Sequence, residues 1–148
     1  MDECVNYSRI KLIKRILLRE LHTQKMIDYA KSCLPNESCA MLLGSIHGEC
    51  VTVKEVILAE NTDASTVKFS INPDQVFNTY AKAKKYDLDV VGIFHSHPTS
   101  EAKPSETDKK FMLINPSVWL IYSEINKELA AYGLDINKNV YSVEIFKS

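Results

Sequence analysis

The stretch that most limits how this chain can fold runs from Leu88 to Pro98. Leu88 to Phe94 is a nearly continuous apolar run, the pattern of a strand covered on both faces. It leads into Gly92-Ile93-Phe94-His95-Ser96-His97-Pro98. Side chains at i and i+2 of a strand leave the same face. His95 and His97 can therefore aim two imidazoles at one point, where a buried strand opens into a loop. Zinc takes imidazole nitrogen at about 2.0–2.1 Å and carboxylate oxygen at about 2.0–2.2 Å, and a catalytic zinc needs three protein ligands with a fourth position free. An anionic side chain returning from nearby sequence would complete such a set, and Asp108, eleven residues after His97, is the candidate. An H-x-H pair alone is not specific. Ser105-Glu106-Thr107-Asp108 also has the S-x-x-D form of a helix N-terminal box, in which Asp108 only supports the first turn. The readings need not exclude each other, since the start of that helix can aim Asp108 at a metal.

Around this segment the chain alternates between strand-like and helix-like stretches. Ile10 to Leu17 is rich in β-branched residues and reads as a first strand. From Arg19 to Leu34 a helix is expected, with Met26, Tyr29, Ala30 and Cys33 on one face and Pro35 as its stop. Ser38 to Ile46 and Glu49 to Leu58 read as a hairpin around His47-Gly48. Thr66 to Ile71 is a short strand candidate. Asn72-Pro73-Asp74 opens a helix to about Tyr86, with Val76, Phe77, Tyr80 and Ala83 on one side. Ser105 opens another to about Ile114, broken by Asn115-Pro116. Val118 to Tyr122 reads as a buried strand. Glu128 to Tyr132 and Tyr141 to Phe146 form a last hairpin around Asp135 to Lys138. The expected class is α/β (mixed α+β), a central mixed β-sheet flanked by helices, with residues 1–148 as one domain.

Composition narrows the function. The chain is 45% hydrophobic and 25% charged, as in ordinary globular proteins, which argues against disorder. A formal net charge of −1 gives no basic excess for counterion-release binding to nucleic acid. The N-terminus lacks the basic segment and apolar core of a secretory signal. Apolar runs fall far short of the roughly 20 residues of a membrane helix. The four cysteines, Cys4, Cys33, Cys39 and Cys50, contain no C-x-x-C, so neither a thiolate zinc site nor a disulfide scaffold is supported. The expectation is a soluble, cytoplasmic protein with reduced thiols, and no nucleic-acid or membrane partner.

Several other residues have two readings. His22 lies on the first helix and is expected to be exposed. His47 sits in a turn and reads as structural, and Trp119 as core. Cys39 could sense oxidants if its thiolate were stabilised and reachable; burial as a small hydrophobe is the simpler reading. Lys103, Lys109 and Lys110 surround the candidate site and either attract an acidic partner or form a solvated loop.

The pattern His95-x-His97, seven residues, Ser105-x-x-Asp108 resembles the signature of the JAMM (MPN-plus) zinc metallopeptidases. In that family an upstream glutamate, in a segment resembling P-x-E-x-C-G-L-L-x-G, completes the site. The matching run here is Pro35-Asn36-Glu37-Ser38-Cys39-Ala40-Met41-Leu42-Leu43-Gly44, with Ala40 where the family commonly has glycine. The resemblance spans about Leu21 to Phe146 and implies a JAMM/MPN-like (cytidine-deaminase-like) fold. It implies roles residue by residue. His95, His97 and Asp108 would hold Zn²⁺. Glu37 would be the general base for the attacking water; without the family match it reads as a solvated carboxylate after Pro35. Ser105 would donate a hydrogen bond to the oxyanion.

The family cleaves amide bonds, most often the isopeptide bond between the C-terminal glycine of a ubiquitin-like (β-grasp) modifier and a lysine. Only 57 positions separate Glu37 from His95, which leaves little room for long insertions and suggests a minimal stand-alone enzyme of the archaeal or bacterial kind. An extended Gly-Gly tail could lie beside a sheet edge as an added strand. Two alternatives stay open: a zinc peptidase trimming the tail of a sulfur-carrier-type protein, and a non-catalytic MPN scaffold subunit. The modifier, the acceptor and the oligomeric state, a homodimer included, are not set by the sequence.

Overall fold

The computed structural model describes residues 12–115 and 117–148. Cys4, the Ile10-Lys11 start of the expected first strand, and Pro116 of the expected helix break lie outside the described residues. Among the described residues seven strands and three helices follow one another: β1 (Arg15–Leu18), α1 (Glu20–Cys33), β2 (Cys39–His47), β3 (Cys50–Ala59), α2 (Pro73–Lys85), β4 (Asp89–His97), α3 (Glu106–Ile114), β5 (Val118–Ser123), β6 (Glu128–Leu134) and β7 (Val140–Lys147).

The mixed sheet closes on itself in the order β1-β3-β2-β4-β5-β6-β7. β1 pairs in parallel with both β3 and β7, and that double pairing makes the closure. A closed sheet has no terminal strand, so the expected edge for a Gly-Gly tail is reduced to overhanging strand ends. Both predicted hairpins are present, β2 with β3 and β6 with β7. β2 is also antiparallel to β4, whereas β4 and β5 are parallel. Parallel neighbours need a crossover, and here the loop after His97 and α3 supply it. The crossover brings Asp108 back over the end of β4.

Register puts opposite-facing residues into two cores. Ala40, Phe94, Leu120, Ala131 and Val143 are successive partners across five strands. With Ile16, Leu42 and Val53, and with Met26 and Ala30 of α1, they form the main buried core. The opposite face carries Cys39, Ala59 and Trp119 under Phe69 and Met112. His95 pairs with Cys39 and Ile121, so it belongs to this second face. β4 is thus covered on both sides, as its apolar run predicts. Ala40 is fully buried in the main core. Gly44 sits at a register shift in β2, where an added Cβ would fall 1.9 Å from the Thr52 carbonyl oxygen. That close approach explains the glycine.

Three expectations need correction. Thr66 to Ile71 is not a strand; it is irregular chain held by side-chain hydrogen bonds, chiefly to Asn61. On α2, Phe77 and Tyr80 are 73% and 52% exposed, while Thr79 and Ala83 are buried. Those two small side chains allow a close approach to the sheet, where Gln75 donates to the Leu58 carbonyl and Lys82 pairs with Glu55 at 2.6 Å. Apolar size alone misassigned the face. His22 is 7% exposed rather than solvated; it precedes Met26 and Ala30 at i+4 steps, on the stripe that faces the core.

Candidate active site

β4 presents His95 and His97 on one face, as i and i+2 residues of a strand must be. α3 then supplies the third group. Ser105 is its N-cap: its Oγ accepts from the Asp108 N–H at 3.0 Å, and Asp108 Oδ2 accepts from the Ser105 N–H at 2.9 Å. The S-x-x-D box is therefore real, and it leaves Asp108 facing the two imidazoles. Asp108 Oδ2 lies 3.1 Å from His95 Nε2 and 3.0 Å from His97 Nε2, and the two nitrogens are 3.0 Å apart. Three donors at zinc bond lengths in tetrahedral array sit about 3.3 Å from one another. All three side chains are buried, and they are the one such cluster among the described residues. Two imidazole nitrogens and an anionic oxygen converging this closely fit a divalent cation well.

The surroundings orient each group. His97 Nδ1–H donates to the Glu101 carbonyl at 2.7 Å, which turns Nε2 toward the cluster. His95 Nδ1 is buried with no hydrogen-bond partner. Its ring is held by packing instead: Phe69 stacks on it at 4.9 Å, and Trp119 meets it edge-on at 5.6 Å. The loop after His97 is tied by neighbouring carbonyls. Ser123 Oγ donates to Ser100 at 2.7 Å, and the Tyr132 hydroxyl donates to Ala102.

Electrostatics follow burial and pairing. Burial lowers His95 below the ordinary histidine range. Burial also works against a charged His97, but its hydrogen bonds to Asp108 and the Glu101 carbonyl prevail, and its pKa is raised. Asp108 is buried too, yet hydrogen bonds from both histidines and the Ser105 N–H hold it well below the usual carboxylate range. The site thus keeps an anionic aspartate beside one histidine that resists protonation.

Glu37, two residues before β2, is 3% exposed, which overturns its reading as a solvated loop carboxylate. Its carboxyl is pushed up to about 8, chiefly by burial and further by the Asp108 charge, while His97 pulls the other way. It is therefore near enough to both to share their field. Its backbone is pinned on two sides: the N–H donates to Ser65 at 2.9 Å, and the carbonyl accepts from Asn61 Nδ2 at 3.0 Å. The next residue, Ser38, donates its N–H to Ser96 Oγ at 2.9 Å. Ser105 itself is exposed. Because its Oγ accepts the capping hydrogen bond, its own hydrogen remains free to donate.

Sequence reading did not find Asn61, Phe69, Ser96, Ser123 or Tyr132. Only Asn61-Thr62-Asp63 carries a legible signal, that of an Asx turn. Other candidates resolve simply. Cys39 is fully buried and its thiol is pushed up to about 12, first by burial; that makes it a small hydrophobe, not an oxidant sensor. Trp119 is core, and His47, expected in the turn, is the exposed last residue of β2, paired with Cys50 and outside the His-His-Asp cluster. Lys103 and Lys109 form exposed pairs with Glu101 and Glu106. Among the described residues no helix is long and apolar enough to cross a membrane.

Comparison with known proteins agrees with this geometry. A solution structure of a protein from Desulfitobacterium hafniense matches with a TM-score of 0.80 and 30% identity, covering 90% of this chain and 92% of that one. A second, from Salinibacter ruber, matches with a TM-score of 0.67 and 25% identity over 89% and 90%. The chain is 31% identical over 110 residues to a Pyrococcus furiosus protein named Desampylase, covering 74% of this chain and 78% of the relative. A Haloferax volcanii protein of the same name is 30% identical over 90 residues, covering 60% and 63%. Prokaryotic homologs of the JAB domain match residues 19–133. With well over half of its length inside that match, and a His-His-Asp cluster where the end of β4 meets the start of α3, the chain belongs to the prokaryotic JAB-domain family.

Proposed function

We propose that this protein is a zinc-dependent isopeptidase hydrolysing the amide bond between the C-terminal glycine of a ubiquitin-like modifier and a lysine. The observation that carries the reading is the convergence of His95, His97 and Asp108 within 3.1 Å, together with a buried Glu37 whose Oε1 has no hydrogen-bond partner and whose carboxyl feels the charges of His97 and Asp108. Two relatives named Desampylase support the substrate class. Mixed imidazole and carboxylate ligation favours zinc.

His95, His97 and Asp108 would hold the ion, which when bound supplies Lewis acidity and lowers the pKa of water toward about 7. Glu37 takes a proton from the attacking water and passes it to the departing lysine amine. Its burial and raised proton affinity suit a group that must do both. Ser105 donates its free hydroxyl hydrogen to the oxyanion of the tetrahedral intermediate. The capping box keeps Ser105 and Asp108 in fixed relation, so oxyanion donor and metal ligand move as one unit. The Glu101 carbonyl holds His97 in the tautomer the site needs.

The test is incubation of the protein with a panel of Gly-Gly-terminated modifiers fused to a lysine-linked reporter, with and without chelator. Release of intact modifier, abolished by chelator and restored by zinc, supports the reading. Zinc bound one to one without cleavage of any conjugate overturns it. The mass of the released fragment separates isopeptide cleavage from trimming of a carrier tail.

A further inference from the structure

The connection between β3 and α2, residues 60–72, is where a strand was expected and none formed. Asn61 organises it. Its Nδ2 donates to the carbonyls of Glu37 and Lys68, both at 3.0 Å, and its Oδ1 accepts from the N–H groups of Asp63 at 3.1 Å and Ser70 at 3.2 Å. Both amide hydrogens and both lone pairs are thereby used. The loop shape is imposed rather than intrinsic: Ala64 sits at a φ of +45°, a left-handed conformation that non-glycine residues rarely adopt.

Two of the groups held by this one amide lead into the site. The Glu37 carbonyl belongs to the proposed base. Lys68 and Ser70 flank Phe69, whose ring stacks at 4.9 Å on His95. Ser65, in the same loop, receives the Glu37 N–H at 2.9 Å. The side chain of Glu37 has no hydrogen-bond partner for Oε1, so its placement depends on its backbone and on packing. We infer that Asn61 is a positioning residue: its side chain sets the distance between the Glu37 carboxylate and the His95 side of the metal cluster. It touches neither substrate nor ion. The inference rests on the proposed role of Glu37 as base.

The test uses the full chain carrying Asn61→Ala and, as a milder change, Asn61→Ser, each compared with Thr62→Val. Thr62 Oγ1 donates to Ser70 within the same loop at 3.2 Å but makes no bond to Glu37. Loss of a supporting contact of this kind typically costs about 10–100-fold in activity. Asn61→Ala should therefore lower kcat at least about 10-fold with KM nearly unchanged, while zinc stays one to one and the visible spectrum of the cobalt-loaded protein superimposes on wild type. Hydrogen exchange at the Glu37 amide should quicken in both Asn61 variants and not in Thr62→Val, which also keeps its kcat. Unchanged kcat in Asn61→Ala, an equal loss in Thr62→Val, or loss of metal in step with activity overturns the inference. Should Asn61→Ala not fold, Asn61→Ser carries the same comparison. A wild type that cleaves no conjugate fails the functional proposal instead, and the exchange measurement still decides whether Asn61 anchors Glu37.

Discussion

Ser38 Oγ lies 2.8 Å from Ser96 Oγ, so the residue after Glu37 is hydrogen-bonded to the residue between His95 and His97. Both hydroxyls are buried, and the backbone joins in: Ser38 N–H donates to Ser96 Oγ at 2.9 Å, and Ser96 N–H donates to the Ser38 carbonyl at 3.1 Å. This link couples the start of β2 to the end of β4, and so couples the proposed base to the histidines.

Ser96→Ala should cost more stability than Ser38→Ala. It removes the hydroxyl pair and also strands the buried Ser38 N–H, a loss of about 1–3 kcal/mol. Ser38→Ala leaves that N–H bonded to Ser96 and should cost about 1 kcal/mol. The double variant should be scarcely worse than Ser96→Ala alone, because both lose the same hydroxyl bond. Denaturant unfolding of the four proteins measures this; simple additivity within about 0.3–0.5 kcal/mol would mean that the hydroxyls act independently.

His95→Ala should lose at least about 100-fold in zinc affinity, more than the 10–100-fold typical of a supporting contact, because one of three ligands is gone. Competition against a chromophoric chelator reads the affinity directly. Zinc held as tightly as in wild type would remove His95 from the ligand set.

Glu37→Gln should bind zinc normally and lose about 10²–10⁴-fold in kcat, the usual range for a positioned acid–base group. The same substitution has a signature without metal. The carboxyl is raised from 4.5 to about 8, mainly by burial, so between those values the folded protein holds a proton that the unfolded chain has released. Stability of the zinc-free protein should fall as pH rises through that window. Glu37→Gln should abolish this decline and be the more stable of the two at pH 8, by on the order of 4 kcal/mol at about 1.4 per pKa unit. Melting temperatures from pH 5 to 8 check the sign. Asp108 acts oppositely: its depressed pKa stabilises the fold above the ordinary carboxylate value, and that contribution is lost as pH falls below it.

Ser105 has two roles that different substitutions separate. Ser105→Ala should keep zinc, lose about 1 kcal/mol of stability with its helix cap, and lose about 10²–10³-fold in kcat with the oxyanion donor. Ser105→Asn restores a good cap without a hydroxyl, so it should recover melting temperature but not turnover. Full activity in Ser105→Asn would leave Ser105 with the cap alone.

Local chemistry in the sequence was enough for much of this protein. Alternation and breakers placed the hairpins, α1 and the two-faced strand β4, because period and turn residues act over a few positions. His95 and His97 were legible as a pair because strand geometry puts i and i+2 on one face. Asp108 was legible because the cap that starts α3 is itself a short-range pattern. Glu37 needed the family likeness, since a carboxylate after a proline has no local mark of burial. Tertiary structure alone decided the rest. The closure of the sheet depends on β1 meeting β7 across the length of the chain. The outward turn of Phe77 and Tyr80 depends on how closely α2 lies to the sheet. The loop at Thr66 to Ile71 gave up strand pairing for bonds to Asn61, and Ser38 found Ser96 from 58 residues away. Such contacts are set by where distant segments stop relative to one another, which no window of neighbouring residues contains.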